Sequence, residues 1–431
     1  MSDFPTRCFC VCDHRGLFLG IARRLAGLGH RVLYNLPEDR RDTLNDAVIG
    51  DNIPGIECVD DIWHKKSEVD CFVFPDVRRL GEQLELRSQG YPVWGSGRGM
   101  VLEQDRLFFL EKLHELGLDV PPYEPVKGFT NLLLYLKDRE DIWIKVSKWR
   151  GSWETFHWRS ESEDAHNIHE KMVKLWGVRE HIVFICFPKI ETDLEIGADT
   201  YCVDGQWPAN MLHGIERKDA AYFSAVTPRE QMPGQLQPVM EAFSPFLKEA
   251  RYRNQWSMEV RVTDRENFFI DATTRGGLPS TATFLAAKNV DEVIFHGARG
   301  EFVEIDYGFK FSAECMVKLS GSRGAWETSE LEPETKDAML LQNYCEPDGQ
   351  PWFPPDEDDA VTDIGWLFAT GDTPVEVAKK MNAIADELPD GADANVEALA
   401  DVIREIESEK KEGIHFTGLT MPEPDVVLEE S

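Results

Sequence analysis

The chain is predicted to join an α/β module to an α+β module, because its apolar residues follow two contrasting patterns. In the first hundred residues, short apolar runs alternate with amphipathic helical stretches, as in a parallel sheet covered on both faces. The middle of the chain instead contains successive strand-like runs with one long helix among them, which favours antiparallel strands with helices on one face. A length of 431 residues allows roughly two to four domains.

The N-terminal module opens with the apolar run CFCVC and a helix whose apolar residues recur from Leu17 to Leu28. A second helix is predicted over 79–89. The turn after the first strand, CDHRGLFLG, lacks the GxGxxG spacing that lets a pyrophosphate approach the backbone. A dinucleotide-dependent dehydrogenase is therefore not supported, and the sheet is a scaffold or half of a substrate cleft. The predicted strands are 8–12, 31–34, 71–74 and 93–94.

The later modules are less regular. A single amphipathic helix is predicted between Met100 and Gly117, and residues 363–388 are predicted as strand, turn and helix with Thr373 as the N-cap. The tail beyond Gly391 is predicted to hold one charged helix and an extended acidic end, loosely attached. The predicted middle strands are 142–148, 182–187, 195–203, 211–218, 256–263 and 267–275. The predicted domains are 1–98, 99–305 and 306–390, followed by the tail 391–431.

Composition excludes several classes of partner. Lys and Arg number 46 against 78 Asp and Glu, which gives a net charge of −32. Such a surface repels phosphate backbones and anionic lipid, so neither nucleic acid nor a membrane surface is expected as a partner, whereas one nucleotide needs only a local basic pocket. No apolar run approaches the ~18 residues of a membrane helix, and the opening residues lack the basic and apolar regions of a signal peptide. A cytoplasmic protein is expected.

The cysteines are predicted to be structural. There are nine, an odd number, and no CxxC pair occurs, so a disulfide framework is not expected. Cys8, Cys10 and Cys12 lie close together in the sequence, so a metal site is the alternative to consider. Their period of two places them on one face of a strand, where cysteine packs as a small hydrophobic side chain.

The segment MEVRVTDRENFFIDATTRGG at 258–277 has two alternating runs around a polar turn, which predicts a β-hairpin. A three-residue loop, 264–266, sets Glu259 opposite Asp271 and places Arg261 and Phe269 on the same face. Facing like charges destabilise a hairpin unless a cation lies between them, and Mg²⁺ binds through one or two carboxylates plus substrate phosphates. The alternative is a solvated face with unpaired acids, since a change of one residue in loop length separates the pair.

Two neighbouring segments offer contacts for a phosphate. Lys145 lies in the apolar strand IWIKVSK, where a lysine points either to solvent or into a cleft at an anion. The adjoining turn KWRGSWET groups two cations, a serine and a single glycine, whose backbone N–H groups suit a phosphate. These turn residues are Lys148, Arg150, Gly151 and Ser152.

Two strands carry candidate polar contacts for the substrates. Glu195, at the start of a strand, suits ribose hydroxyls, but an exposed edge acid has the same pattern. In HGIERKD, Glu216 and Lys218 alternate toward one side as candidate substrate residues, and Gly214 on that side is expected to leave room for a ligand. A solvated charged strand is the alternative.

Taken in this order, the features resemble the ATP-grasp superfamily, and within it the phosphoribosylamine–glycine ligase branch, over roughly residues 8–390. The resemblance implies an ATP-grasp fold with an N-terminal Rossmann-like (pre-ATP-grasp) domain and a small C-terminal domain. It is carried by GSGRGMVLEQDRLFFLEKLHELGLDVPPY, IWIKVS, IVFICFPK, LEIGADTYCVDGQW, MEVRVT, IDATTRGGLP and DIGWLFATGDTPVEVAKKM.

The resemblance implies ATP, with Mg²⁺ or Mn²⁺, as cofactors. Arg106 stands where the family has a phosphate-binding lysine, and the backbone after IVFICF meets the adenine edge. With the turn residues above, the expected nucleotide contacts are Arg106, Lys145, Lys148, Arg150, Gly151, Ser152, Cys186, Phe187, Pro188 and Glu195. The implied metal ligands are Glu259, Asp271 and Thr273, and the implied catalytic residues are Arg275 and Lys145.

Among the departures of the sequence from the family, two bear on the metal and on the second substrate. The second metal strand reads Asp271-Ala272-Thr273 in place of Glu-x-Asn, so one ligand is shorter, a hydroxyl replaces an amide, and weaker Mg²⁺ binding is expected. The glycine-rich turn that grips a sugar phosphate is replaced by DHRG, in which Asp13 puts a negative charge where the phosphate would sit. The ATP site is expected to be intact and the second-substrate site rebuilt.

The implied activity is that of an ADP-forming carboxylate–amine ligase, which works through an acyl phosphate on small-molecule carboxylate and amine substrates. The loop 149–155 is expected to close over the nucleotide. The second substrate is expected to differ from that of glycinamide ribonucleotide synthesis. Alternatives are a nucleotide-binding homologue without ligase activity, a genuine phosphoribosylamine–glycine ligase, or a carboxylating or phosphorylating enzyme on the same fold. A homodimer is one candidate assembly.

Overall fold

The computed structural model describes residues 4–37, 43–148, 155–173, 175–192, 194–355 and 361–411, with side chains as far as residue 406 except that of residue 171. The N-terminal region alternates strands with helices, as expected. Its elements are β1 (Cys8–Cys12), α1 (Leu19–Gly27), β2 (Arg31–Asn35), β3 (Thr43–Leu44), β4 (Ala47–Val48), β5 (Ile56–Cys58), α2 (Ile62–Lys65), β6 (Cys71–Val73), α3 (Leu80–Ser88) and β7 (Val93–Trp94).

Five of these strands form a parallel sheet in the order β5–β2–β1–β6–β7, so the predicted parallel sheet is confirmed. Every residue of β1 is buried, because apolar clusters cover both faces of the sheet. Cys8, Cys10 and Cys12 pack together in one of these clusters, which confirms their structural role. Among the described residues, no group of three or more His, Cys, Asp or Glu is placed to hold a metal ion.

The next region contains a small antiparallel sheet, ordered β10–β9–β11–β8. The single helix expected between Met100 and Gly117 is instead two helices, because the Asp105 carboxylate accepts a hydrogen bond from the N–H of Phe108 and caps a new helix. The elements are α4 (Val101–Gln104), α5 (Arg106–Glu115), β8 (Glu124–Lys127), α6 (Phe129–Leu136), β9 (Ile142–Val146), β10 (Thr155–Trp158), α7 (Glu161–Val173) and β11 (Val183–Pro188).

The rest of the chain builds a large antiparallel sheet. Its order is β16–β15–β12–β13–β14–β17–β21–β19, with β22 beside β17. The elements are β12 (Glu195–Val203), β13 (Asn210–Arg217), β14 (Ala221–Pro228), α8 (Gln237–Glu249), β15 (Arg253–Val262), β16 (Asn267–Thr273), α9 (Thr281–Leu285), α10 (Val290–Gly297), β17 (Phe311–Ser320), β18 (Glu327–Thr328), α11 (Pro333–Asp337), β19 (Met339–Leu341), β20 (Trp352–Phe353), β21 (Val361–Gly371), α12 (Pro374–Ala385), β22 (Ala392–Ala394) and α13 (Val396–Lys411). Since β14 pairs with β17, the sheet continues across the boundary expected at residues 305/306.

The C-terminal helices close this sheet. Thr373 caps α12 as predicted, because its hydroxyl accepts the N–H of Glu376. The expectation of a loosely attached tail is wrong for residues 396–406, since Leu399 and Ile403 are buried in the main apolar core and α13 packs on β13 and β14. No helix in the described part of the chain is both long and apolar enough to cross a membrane.

Candidate active site

The hairpin formed by β15 and β16 places Glu259 directly opposite Asp271, which confirms the predicted pairing. The register near the turn differs from the expected one, because the N–H of Thr263 bonds to the carbonyl of Glu266 and the loop is one residue shorter. A β-bulge at Ile270 then restores the alignment. The prediction that Arg261 and Phe269 share a face is consequently wrong, since Phe268 lies opposite Arg261 and Phe269 lies opposite Val260.

The bulge also creates a contact for Arg106. The guanidinium of this buried arginine donates to the carbonyl of Ile270 at 2.9 Å and to both carboxylate oxygens of Asp271 at 3.2 Å. Lys145 approaches the same carboxylate, with its Nζ 3.7 Å from Asp271 Oδ2. Asp271 is therefore held by two cations that were each expected to meet phosphate.

Glu259 lies in a strongly negative environment. Burial raises its pKa well above the ordinary value, and the charges of Asp271, Glu195 and Glu216 raise it further, while Lys145 opposes them. A divalent cation between Glu259 and Asp271 would offset this repulsion. The donors are carboxylate oxygens with the Thr273 hydroxyl two residues along the strand, which fits Mg²⁺, an ion that completes its shell with water and phosphate oxygens.

The hairpin forms one wall of a cleft with a volume of about 550 Å³. The turns that follow β1 and β6 of the parallel sheet contribute the facing wall. The cleft brings together residues that lie more than a hundred positions apart in the sequence. Those predicted from the sequence that line it are Lys145, Glu195, Glu216, Lys218, Glu259, Asp271, Thr273 and Arg275.

Arg275 is oriented by acids that the sequence did not reveal. Its Nε lies 2.9 Å from Oε1 of Glu103 and 4.0 Å from Asp76. The Glu103 side chain is fully buried and also accepts the N–H of Thr274 at 2.7 Å. Glu103 lies within the segment that resembles the family, but no spacing in that segment singles it out.

Several predicted nucleotide contacts lie outside the cleft lining. Lys148 is exposed, with its Nζ 3.1 Å from the Asp105 carboxylate. Cys186 is buried between β8 and β9, whereas Phe187 and Pro188 continue past the end of β8. The predicted contacts at Arg150, Gly151 and Ser152 lie outside the described residues, as does most of the loop expected to close.

The expectation that Gly214 leaves room for a ligand is wrong. A side chain there would lie 2.5 Å from the ring of Tyr222, so this aromatic residue fills the space. The Tyr222 hydroxyl donates to Asp199 Oδ2 at 2.6 Å. Asp199 lines the cleft but was not predicted from the sequence. It lies on the same strand face as Glu195, which precedes it by four residues.

Glu216 faces the same cleft from β13. Its side chain is exposed to solvent, yet the neighbouring groups of the cleft partly desolvate the carboxyl. This desolvation, together with the charges of Asp199 and Asp219, raises the pKa of Glu216 to about 8. Lys218 lies nearby and lowers it in part.

The first turn is closed by Asp13. This carboxylate is fully buried and accepts the backbone N–H groups of His14 at 2.6 Å and Phe18 at 2.8 Å, with a longer bond from Arg15. The Tyr34 hydroxyl donates to it at 3.0 Å. The backbone donors at the start of α1, which suit an external anion, are thus occupied from within.

Solved structures match this architecture over most of the chain. Phosphoribosylamine–glycine ligase from Thermotoga maritima superposes with a TM-score of 0.65 over 90% of this chain and 98% of that chain, at 16% identity. The chain has the ATP-grasp fold. Biotin carboxylase from Campylobacter jejuni covers 91% of this chain and 93% of its own at a TM-score of 0.62 and 13% identity.

A third ATP-grasp structure, L-amino acid ligase from Bacillus licheniformis, matches with a TM-score of 0.58 at 12% identity, covering 90% of this chain and 98% of that chain. At these identities the likeness establishes the fold alone. No protein-family model and no curated protein matches the sequence.

Proposed function

We propose that this chain is an ATP-dependent carboxylate–amine ligase that works through an acyl phosphate and releases ADP. The observation that carries the proposal is the convergence of Lys145, the Glu259–Asp271 pair and Arg275 on one cleft within an ATP-grasp fold. Cations, facing carboxylates and a second arginine are the groups that phosphoryl transfer to a carboxylate requires.

In this proposal the substrate carboxylate attacks the γ-phosphorus of ATP, and the bond to the β-phosphate oxygen breaks. The amine then attacks the acyl carbon, phosphate leaves, and the nitrogen loses a proton to give the amide. Negative charge spreads over the transferring oxygens, so Lys145 and Arg106 stabilise it by turning from Asp271 toward phosphate.

Arg275 is proposed to neutralise the acyl phosphate, since Glu103 fixes its guanidinium at the edge of the cleft. Glu195 and the backbone at Phe187 and Pro188 are proposed to bind the ribose and the adenine edge. Mg²⁺ held by Glu259, Asp271 and Thr273 would supply positive charge at the transferring phosphoryl group.

Asp13 supports a second substrate other than a phosphorylated sugar amine. Its carboxylate already accepts three backbone N–H groups at the turn where such a phosphate would bind. The proposed substrates are therefore a small amine and a carboxylic acid without phosphate. This observation also disfavours a genuine phosphoribosylamine–glycine ligase.

The test is ADP release from a panel of amines and carboxylic acids supplied with ATP and Mg²⁺. We expect ADP and an amide only when a matched acid and amine are both present. A nucleotide-binding homologue without ligase activity would bind ATP and release no ADP with any pair. ADP release with bicarbonate or an alcohol in place of the amine would instead identify a carboxylating or phosphorylating enzyme.

A further inference from the structure

Asp199 is a carboxylate in the cleft whose hydrogen-bond partners are all neutral. Oδ2 accepts the Tyr222 hydroxyl at 2.6 Å, and the hydroxyls of Ser257 and Ser280 also bond to the carboxylate. Within the described part of the chain, no lysine, arginine or histidine forms an ion pair with it. Asp271 and Glu195 in the same cleft differ, since each faces a cation at close range.

The surroundings make this isolation costly. Burial raises the pKa of Asp199, and its three hydroxyl partners offset that effect only in part. A buried carboxylate is ordinarily paired with a positive charge, because desolvation disfavours the ionised form. Asp199 therefore lacks a counter-charge that a ligand in the cleft can supply.

Two glycines keep the approach to Asp199 open. A side chain at Gly277 would lie 3.5 Å from Asp199 Oδ1 and would collide with Ser280 Oγ at 2.5 Å. Gly197 lies on the same strand face between Glu195 and Asp199, and a Cβ there would meet only backbone oxygens, the nearest being that of Met258 at 3.3 Å. The cleft floor beside Asp199 is consequently free of side chains at both positions.

Part of the cleft lining near Gly277 is apolar. The first turn, the turn after β6 and the loop before α9 contribute five apolar side chains, and the two turns also contribute the charged Arg15, Asp76 and Arg78. The apolar residues are Leu17, Phe18, Val77, Leu278 and Pro279. A ligand that satisfies both features has one positive group and a small apolar body.

Resting on the ligase function proposed above, we propose that Asp199 binds the ammonium group of the amine substrate, which is a small amine with an apolar body and no phosphate. The ammonium group gives one proton to the Asp199 carboxylate before its nitrogen attacks the acyl carbon. Arg275, in the same cleft, would hold the activated acid partner. Asp199 and Arg275 thus divide the second-substrate region into an end that selects a cation and an end that selects an anion.

The experiment measures binding by calorimetry to the full chain saturated with Mg²⁺ and a non-hydrolysable ATP analogue. The probes are isobutylamine, its neutral isostere isobutanol and the phosphorylated amine O-phosphoethanolamine. We expect isobutylamine to bind and both other probes to bind at least about tenfold more weakly, because isobutanol loses the charge-assisted hydrogen bond and the phosphate of O-phosphoethanolamine adds negative charge beside the Asp199 carboxylate.

Two variants isolate the residue. Asp199→Asn should weaken isobutylamine binding by roughly tenfold or more while nucleotide affinity stays within about twofold. Gly277→Ala keeps the carboxylate but places a methyl group 3.5 Å from Oδ1, in the space proposed for the ammonium group, so it should weaken amine binding without weakening nucleotide binding. The matched control is Asp264→Asn, the same change on the exposed hairpin turn, which should alter neither affinity.

The assignment is overturned if isobutylamine does not bind the wild-type nucleotide complex, if isobutanol binds equally well, or if Asp199→Asn and Gly277→Ala both retain full amine affinity. Failure of the ligase function is distinguishable, because it would show as absent nucleotide binding or as absent ADP release across the whole panel. A variant that loses amine affinity while keeping the nucleotide affinity supports the assignment directly.

Discussion

Asp271 and Asp13 are both carboxylates held by groups that suit phosphate, but they are held in different ways. The Asp271 side chain is 22% exposed and contacts the ends of two long cationic side chains, Arg106 and Lys145. Asp13 is fully buried and is held by backbone N–H groups that belong to its own turn and to the start of α1.

On the proposed function, this difference would let one cleft bind the phosphates of a nucleotide and reject the phosphate of a second substrate. Lysine and arginine side chains have several donors and rotatable stems, so they can turn from Asp271 to an incoming polyphosphate. Backbone donors cannot turn, and an anion reaches those at the first turn only by expelling Asp13. On the proposed function, the end of the cleft at the β15–β16 hairpin would bind the nucleotide, and the first turn would be closed to a second phosphate.

The largest expected effect is at the hairpin. Glu259→Gln or Asp271→Asn should lower ATP turnover by roughly 100-fold or more, because each removes a charge from the proposed cation site at which the transition state is stabilised. Steady-state ADP release across a range of Mg²⁺ concentrations measures it. Full activity of either variant at low Mg²⁺ would contradict the metal assignment.

Stability supplies the control for these variants. The pKa of Glu259 is higher in the folded state than in the unfolded state, so ionisation of this residue destabilises the fold. The free energy of unfolding should therefore fall as the pH rises from 4.5 through the raised pKa. Glu259→Gln should therefore unfold at a higher temperature than wild type at neutral pH without Mg²⁺, with a smaller pH dependence. Glu266→Gln, on the exposed turn of the same hairpin, should match wild type in both assays.

A smaller effect is expected at Lys145, which tests whether the cations at this end serve the nucleotide or only Asp271. Lys145→Ala should weaken ATP binding by about 1.5–3 kcal/mol, the range for a charge-assisted hydrogen bond. Calorimetric titration with ATP and Mg²⁺ measures the change. Unchanged affinity would mean that Lys145 pairs with Asp271 alone, and the proposed phosphate site would have to be abandoned.

The hairpin and the parallel sheet could be predicted because alternation and burial are local signals. The strand 195–203 has the predicted bounds, and Glu259 faces Asp271 as expected. The turn was misjudged by one residue, and the bulge at Ile270 compensated for the error. The carbonyl of the bulged Ile270 accepts a hydrogen bond from Arg106, which is distant in the sequence. Alternation of apolar residues alone therefore cannot reveal this bulge.

The rest of the site depended on contacts between distant segments. Nothing local indicates that Glu103 is buried against Arg275 or that Tyr222 fills the space at Gly214. Asp199 could have been predicted from the sequence as a site residue, because it shares a strand face with Glu195. Its lack of a cationic partner becomes visible only when the neighbouring strands and the loop before α9 are in place.

The smallest expected signal is from phosphoribosylamine and glycine, which should give no ADP above background with ATP and Mg²⁺. Two unit charges about 4 Å apart at an effective dielectric near 20 repel by about 4 kcal/mol, which corresponds to several hundredfold in affinity. Asp13 presents such a charge at the first turn and leaves its backbone N–H groups no capacity for a second anion.

Arg15, which lines the cleft, would offset only part of this repulsion, because the backbone donors remain occupied by Asp13. The assay supplies freshly made phosphoribosylamine to the purified chain, and detection of glycinamide ribonucleotide by mass spectrometry reports turnover. If the sample binds ATP and still makes no product, the preparation is folded and the closed first turn explains the absence of product. Efficient product formation would show that the turn opens, and the contrast between Asp13 and Asp271 would then have no functional meaning.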